Sequence, residues 1–262
     1  MDIHKKFNLQ NKRVLITGGL GYLGKSFAKT LLNFSSIVIL CDNKKNSEFL
    51  KFKHSLNNNM ENLIYHKVDL SSEKNRKILI KKIKNLDILV NSAALVGNSK
   101  IKGWNDKFEN QSLTAWAKAI EINLTSVFHL CRDISPILKK SKSGVIVNIS
   151  SIYGSIAPDP RLYKKTGIYN PAAYSVSKSG INNLTRWLAS TLSPQIRVNA
   201  LSPGGIYRNQ NKLFVKNYVE RTPLRRMASE EDIVWALIYL VSDMSKYVNG
   251  QNLIVDGGFS II

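Results

Sequence analysis

At 262 residues the chain is long enough for one large α/β domain or two small ones, and 44% apolar with 21% charged residues is a globular balance that excludes disorder. Its longest apolar run, Ile233 to Val241, is nine residues against the roughly 20 a membrane helix needs, and the polar start MDIHKKFNLQNKR is no signal peptide, so a cytoplasmic protein without a membrane partner is expected. The formal charge of +20 gathers eleven Lys/Arg against four Asp/Glu in residues 43–86, yet no basic run is interleaved with aromatics, which reads as solvated surface open to anionic ligands rather than a nucleic-acid site.

Seven short Val/Ile/Leu-rich runs alternate with amphipathic stretches along the chain. They are Val14–Thr17, Ile37–Cys41, Leu63–Lys67, Ile88–Asn91, Val145–Ser150, Arg197–Leu201 and Asn252–Val255. Runs apolar on both faces suit strands covered by helices on each side, and the alternation predicts βαβ units. The expected fold is therefore α/β, a single Rossmann-type domain over 1–262 with a doubly wound parallel sheet of about seven strands.

The first strand runs into Thr17-Gly18-Gly19-Leu20-Gly21-Tyr22-Leu23-Gly24 and then the helical KSFAKTLL. Glycines allow a tight turn and close backbone approach, and a helix N-terminus offers unpaired N–H groups to a pyrophosphate. The second strand ends at Asp42, eighteen residues past Gly24, where an acid holds ribose hydroxyls and repels a 2′-phosphate. That favours NAD; Lys44 and Lys45 close behind leave room for NADP. Asp69, in KVDL, sits either near the adenine edge or as a cap for the following helix.

Further on, Ser112 is a cap for a long helix through Trp116 and Phe128 to Ile134. Trp104 precedes it, either stacking on a flat substrate or packing against a loop. Asn170-Pro171 reads as an N-cap and first-turn proline, which places the stretch YSVSK inside a helix. Tyr174 and Lys178, four apart, then share a face. Ser229 with Glu230, Glu231 and Asp232 opens the last long helix. Cys41 and Cys131 read as buried thiols. His4, His54, His66 and His129 share no ligand spacing, so no metal site is expected.

Taken in order, the glycine loop, Asn91-Ser-Ala-Ala94, Asn123 in IEINLTSVF, Ser150-Ser151 ending VNISS, Tyr174 with Lys178, Pro203-Gly204-Gly205 and the tail NGQNLIVDGG resemble the short-chain dehydrogenase/reductase family over nearly the whole chain. The resemblance implies an enzyme acting on CH–OH, with Tyr174 as acid/base and Lys178 favouring the phenolate and binding the nicotinamide ribose. Ser151, with Ser150 as the alternative, would hydrogen-bond the substrate oxygen. Asn123 would hold a water linking Lys178 to solvent. The same resemblance implies a cofactor surface of Thr17, Gly18, Gly21, Tyr22, Leu23, Asp42, Asp69 and Leu70. Asn91, Ala93, Lys178, Pro203, Gly204 and Ile206 complete it. A homotetramer or homodimer is implied in the same way.

Three departures bear on the substrate. Tyr22 stands where short members usually have glycine. Ser151 and Tyr174 are 23 apart rather than about a dozen, which marks an insertion at about 155–172 carrying Arg161, Tyr163, Lys164 and Lys165. It is either a substrate-recognising loop or a surface segment. Arg208 occupies a position where the family often has threonine, within an expected substrate lid at about 206–222. With Arg161 and Arg208 as substrate contacts, the expected substrate is a polar sugar- or polyol-like molecule. A 3-oxoacyl thioester reductase and a non-catalytic cofactor-sensing protein are the other readings.

Overall fold

The computed structural model describes residues 6–56, 60–96, 99, 101–141 and 143–262; His4 and the first residues of the polar N-terminal stretch lie outside them. Seven strands form one sheet in the order β3-β2-β1-β4-β5-β6-β7, every neighbouring pair parallel. They are β1 (Arg13–Thr17), β2 (Ile37–Asp42), β3 (Leu63–Lys67), β4 (Ile88–Asn91), β5 (Gly144–Ile149), β6 (Ile196–Pro203) and β7 (Asn252–Val255).

Side chains on a strand alternate between faces, and here both alternations are apolar. Val14, Ile16, Val145 and Val147 pack on one side against α1 (Tyr22–Asn33) and α9 (Glu230–Val241). Leu15, Leu89 and Ile146 pack on the other against α3 (Glu73–Lys82), α5 (Ser126–Leu138) and α7 (Ala172–Leu192). Helices on both faces and a strand order that reverses between β1 and β4 make a doubly wound Rossmann-type fold. Its crevice opens at the carboxyl ends of the strands. Among the described residues no helix is long and apolar enough to cross a membrane.

Local chemistry accounts for most helix starts. Ser72 accepts from the Asn75 N–H, Ser112 from the Ala115 N–H, and Ser229 forms a reciprocal capping box with Asp232. The expectation at Asn170 fails. The helix is capped at Pro171 without a side-chain bond, because the Asn170 amide is turned to the Tyr163 hydroxyl and accepts from Ser175. The long helix expected from Ser112 is α4 (Leu113–Ile120) and α5, joined by a π-helical turn over Glu121–Thr125 that carries Asn123. Such a turn places one extra residue in the helix and re-aims its side chains.

The extra segment before Tyr174 is folded. Asp159 caps the short helix α6 (Pro160–Tyr163) and pairs with both Arg161 and Arg221. Leu162 packs with Tyr218 and Phe259, and the Asn217 amide donates to the Leu162 carbonyl at 3.2 Å. These contacts bind the segment to α8 (Lys212–Arg221), so the two form one packed unit.

Candidate active site

A cavity of about 920 Å³ lies over the carboxyl ends of the strands. At one end is the glycine loop. Gly18 has φ +64°, and a Cβ there would stand 2.8 Å from the Ala93 Cα; a Cβ on Gly24 would stand 2.3 Å from the Gly18 carbonyl oxygen. The loop thus packs backbone to backbone, a closeness only glycine permits. Gly21 caps α1 without a side-chain bond, so the first-turn N–H groups beside Gly21, Tyr22, Leu23 and Gly24 face the cavity that those residues line. Thr17 is set behind this wall. Its Oγ1 accepts from the Ser92 and Ala93 N–H groups, each at 3.0 Å, and pins the loop after β4 to β1.

Asp42 lies deep in the same end, its Oδ2 accepting from the Leu20 N–H at 3.0 Å and its Oδ1 from the Lys44 N–H at 3.2 Å. A carboxylate oriented by two backbone donors keeps lone pairs for further hydroxyl donors. Lys44 Nζ donates to the Leu20 carbonyl at 2.9 Å, which holds its charge beside Asp42. Asp69 and Leu70 line the adjoining wall. Asp69 accepts from Ser71 and shapes the turn, while Ser72 caps the following helix.

At the other end, α7 presents Tyr174 and Lys178 to the tip of β5. The Lys178 Nζ is buried, donates to the Ile149 carbonyl at 2.7 Å and lies 5.7 Å from the centre of the Tyr174 ring. Burial lowers its pKa to about 8. Burial also pushes the Tyr174 phenol above its ordinary value, while the Ser151 hydroxyl and the Arg208 charge pull it back. The two serines separate by role. Ser150 Oγ donates to the Lys178 backbone carbonyl at 3.1 Å and holds the helix, leaving Ser151 as the hydroxyl beside Tyr174.

The lowered Lys178 pKa has a consequence for stability. Between pH of about 8 and its ordinary 10.5 the unfolded chain holds the lysine proton that the folded chain has released. Stability should therefore rise with pH across the lower part of that window. Above about pH 10 the raised tyrosines reverse the trend, since the unfolded phenols ionise first. Urea unfolding between pH 7 and 9.5 should show the rise in the native chain and a flatter profile in Lys178→Met.

Several expected site residues are placed elsewhere. Asn91 is buried in the sheet, its amide donating to Asn148 Oδ1 at 2.9 Å and to Cys131 Sγ at 3.3 Å, and it does not line the cavity. Asn123 does not line it either. Its Oδ1 accepts from the Leu95 N–H at 2.7 Å, and its Nδ2 donates to the Leu95 carbonyl and Ser177. Its amide is thus taken up by the loop after β4 and by α7 rather than turned toward Lys178. Arg161 is exposed, held by Asp159, and off the cavity. Arg208 does line the cavity. Its guanidinium lies 4.5 Å from the Tyr22 ring centre and 3.0 Å from Glu230, a stacked ion pair that bridges the segment after β6 and the glycine loop. Trp104 is buried and donates to the Val96 carbonyl at 2.8 Å, so it packs rather than faces a ligand.

Pro203, Gly204 and Ile206 line the cavity beside Lys178, and the Gly205 N–H donates to the Tyr218 hydroxyl at 2.5 Å. Tyr153, Asn170, Gln210 and Tyr218 also line it and are not expected there from the sequence, which reads Asn170 as a helix cap. For Tyr153 a signal existed, since it stands two residues past Ser151. Both cysteines are buried free thiols, with Cys131 pushed up to about 12. Among the described residues no group of three His, Cys, Asp or Glu could hold a metal ion.

A doubly wound sheet with a glycine loop, an acid at the end of β2 and a Ser/Tyr/Lys set at one crevice is the arrangement of a nucleotide-dependent oxidoreductase class. The family profile described as Enoyl-(Acyl carrier protein) reductase matches residues 22–260, and the chain belongs to the short-chain dehydrogenase/reductase family. It is 32% identical to the post-translational flagellin modification protein A of Campylobacter coli, covering 97% of this chain and 100% of that one. It is also 32% identical to a 3-oxoacyl-[acyl-carrier-protein] reductase of Rickettsia typhi, over 96% of this chain and 98% of the other. A crystal structure of a short-chain dehydrogenase from Leptospira borgpetersenii with bound NAD+ superposes with a TM-score of 0.84 at 33% identity, covering 97% of this chain and 94% of that one.

Proposed function

We propose that this chain is an NAD(P)-dependent oxidoreductase interconverting a secondary alcohol and a ketone, with a sugar- or polyol-like substrate. The observation that carries it is the convergence of Ser151, Tyr174 and Lys178 on the cavity that the glycine loop and Asp42 also line. The loop suits a dinucleotide, because its glycines leave no room for a Cβ and its helix N-terminus is uncapped. NAD would lie with its pyrophosphate on the first turn of α1, an adenosine ribose at Asp42 and its other ribose at Lys178. When bound it supplies the hydride acceptor or donor.

The protein's part is to handle the oxygen. Ser151 and Tyr174 hold the carbonyl or alcohol oxygen, and Tyr174 gives the proton to the forming alkoxide or takes it from the alcohol. Lys178, cationic at neutral pH, favours the phenolate when Tyr174 has given up its proton. Asn123 acts as a positioning residue, tying α7 to the loop after β4. Support for a polar substrate comes from the wall facing this centre. Tyr153, Tyr163, Asn170, Gln210 and Asn211 supply hydroxyls and amides there. The 3-oxoacyl thioester reading is favoured by the name of the Rickettsia relative. A homodimer or homotetramer belongs to the proposal on family likeness, and light scattering reads it.

Calorimetric titration with NADH and NADPH tests the cofactor reading. NADH should bind at least about tenfold more tightly, and Asp42→Ala should narrow that ratio by about tenfold, as expected for loss of a charge-assisted ribose contact and of the repulsion toward a 2′-phosphate. Binding of neither cofactor would remove the dehydrogenase reading. Turnover of ketoses set against acetoacetyl thioester then separates the two substrate classes.

A further inference from the structure

One pair of hydroxyls in the cavity has no part in the chemistry above. Tyr153 follows Ser151 by two residues on the turn leaving β5, and its backbone N–H donates to Ser151 Oγ at 3.2 Å. Tyr163 comes from α6 of the insertion, where its ring packs 5.6 Å from that of Phe214. The two phenolic oxygens are 2.7 Å apart, and Asn170 Nδ2 donates to the Tyr163 oxygen at 3.2 Å. All three residues line the cavity.

The donors can be counted. Each phenol carries one O–H, and the bond between them uses one of the two. Whichever phenol donates, the other O–H is left with no acceptor among the described residues. Burial pushes both phenols above their ordinary values, so both are protonated at neutral pH. The remaining O–H belongs to a residue lining the cavity that Ser151 and Tyr174 also line, and Asp159 and Leu162 fasten α6 to α8. Among the described residues the acids lining the cavity, Asp42 and Asp69, lie at its glycine-loop end, so this end offers neutral donors and cations to a substrate.

We propose that the Tyr153–Tyr163–Asn170 cluster recognises a second oxygen of the substrate, carried near the reacting carbon. The substrate class is then a hydroxy ketone and its corresponding polyol. This rests on the alcohol–ketone reading of the same site. An unpaired donor discriminates strongly, because a substrate lacking the matching oxygen leaves it buried without a partner.

The test is the ratio of kcat/KM for the best of sorbose, fructose and ribulose to that for cyclohexanone, with NADH. Tyr153→Phe or Tyr163→Phe alone leaves one O–H in the cluster, so each should lower the ratio only about two- to threefold; the double variant removes both O–H groups, leaving the Asn170 amide alone, and should lower it at least about tenfold. A double variant within twofold of the native ratio overturns the site. Phenylalanine keeps each ring's packing, and if the double variant does not melt cooperatively the singles still decide, since no change in either overturns the proposal. Native protein that reduces cyclohexanone but none of the ketoses overturns the polyoxygenated class alone. Native protein inert toward all four ketones overturns the alcohol–ketone reading and this site together.

Discussion

Tyr174→Phe is expected to lower kcat by about 10²- to 10⁴-fold, the range that a positioned general acid/base contributes. The substitution removes one oxygen and leaves the ring, which packs beside Ala173 near Trp104. The loss should therefore fall on kcat rather than on folding or on NADH affinity, and stopped-flow measurement of the hydride step with matched calorimetry reads both. The effect is large because no neighbouring side chain can replace the phenol. Ser151 carries an alcohol of much higher intrinsic pKa, and the Lys178 amine is already committed to the Ile149 carbonyl. A variant that keeps more than a tenth of native turnover would move the proton to another group.

Gly24→Ala is expected to destabilise the fold and weaken cofactor binding together. Within α1 alanine has an advantage over glycine of about 1 kcal/mol in propensity. Against that, the added Cβ would lie 2.3 Å from the Gly18 carbonyl oxygen and 2.8 Å from the Gly19 Cα, both backbone atoms. The helix must back away from the loop, and overpacking of this kind costs about 1–3 kcal/mol. The displaced helix N-terminus should also weaken NADH binding by at least about tenfold, since its N–H groups are aimed by this contact. Gly180→Ala is the internal comparison. There the Cβ would meet only the Leu124 side chain at 2.8 Å, which can turn aside, so the propensity gain should offset most of the cost. Urea unfolding of the two variants with NADH titration separates them. Equal stabilities would mean that the loop yields more easily than its packing implies.

The two expectations share a feature that bears on how the site is built. Each concerns a residue whose chemistry is local: a phenol one helical turn from an amine, a glycine where two backbone segments meet. The cluster around Tyr153 and Tyr163 differs, since its members come from the end of a strand and from the segment before Tyr174, which is packed on α8.

That contrast runs through the whole chain. β3, β4 and β7 have the bounds expected from their Val/Ile/Leu runs, and the others agree within one or two residues, because strands buried on both faces must be apolar throughout. The glycine loop, Asp42 and the Ser151/Tyr174/Lys178 set were legible for a related reason: each lies at a strand end or on one helix face, where spacing along the chain dictates position in space. Tertiary structure alone decided where Asn91 and Asn123 point, whereas the neighbour that holds Arg161 is local. Asn91 is turned into the sheet by Asn148, Asn123 is engaged by the backbone of Leu95, and Arg161 is drawn outward by Asp159. It also decided that the Asn170 amide serves Tyr163 rather than capping the first N–H groups of its own helix. A polar side chain goes to whichever donor or acceptor the fold brings within about 3 Å, and partners as far along the chain as those of Asn91 and Asn123 leave no mark in its spacing.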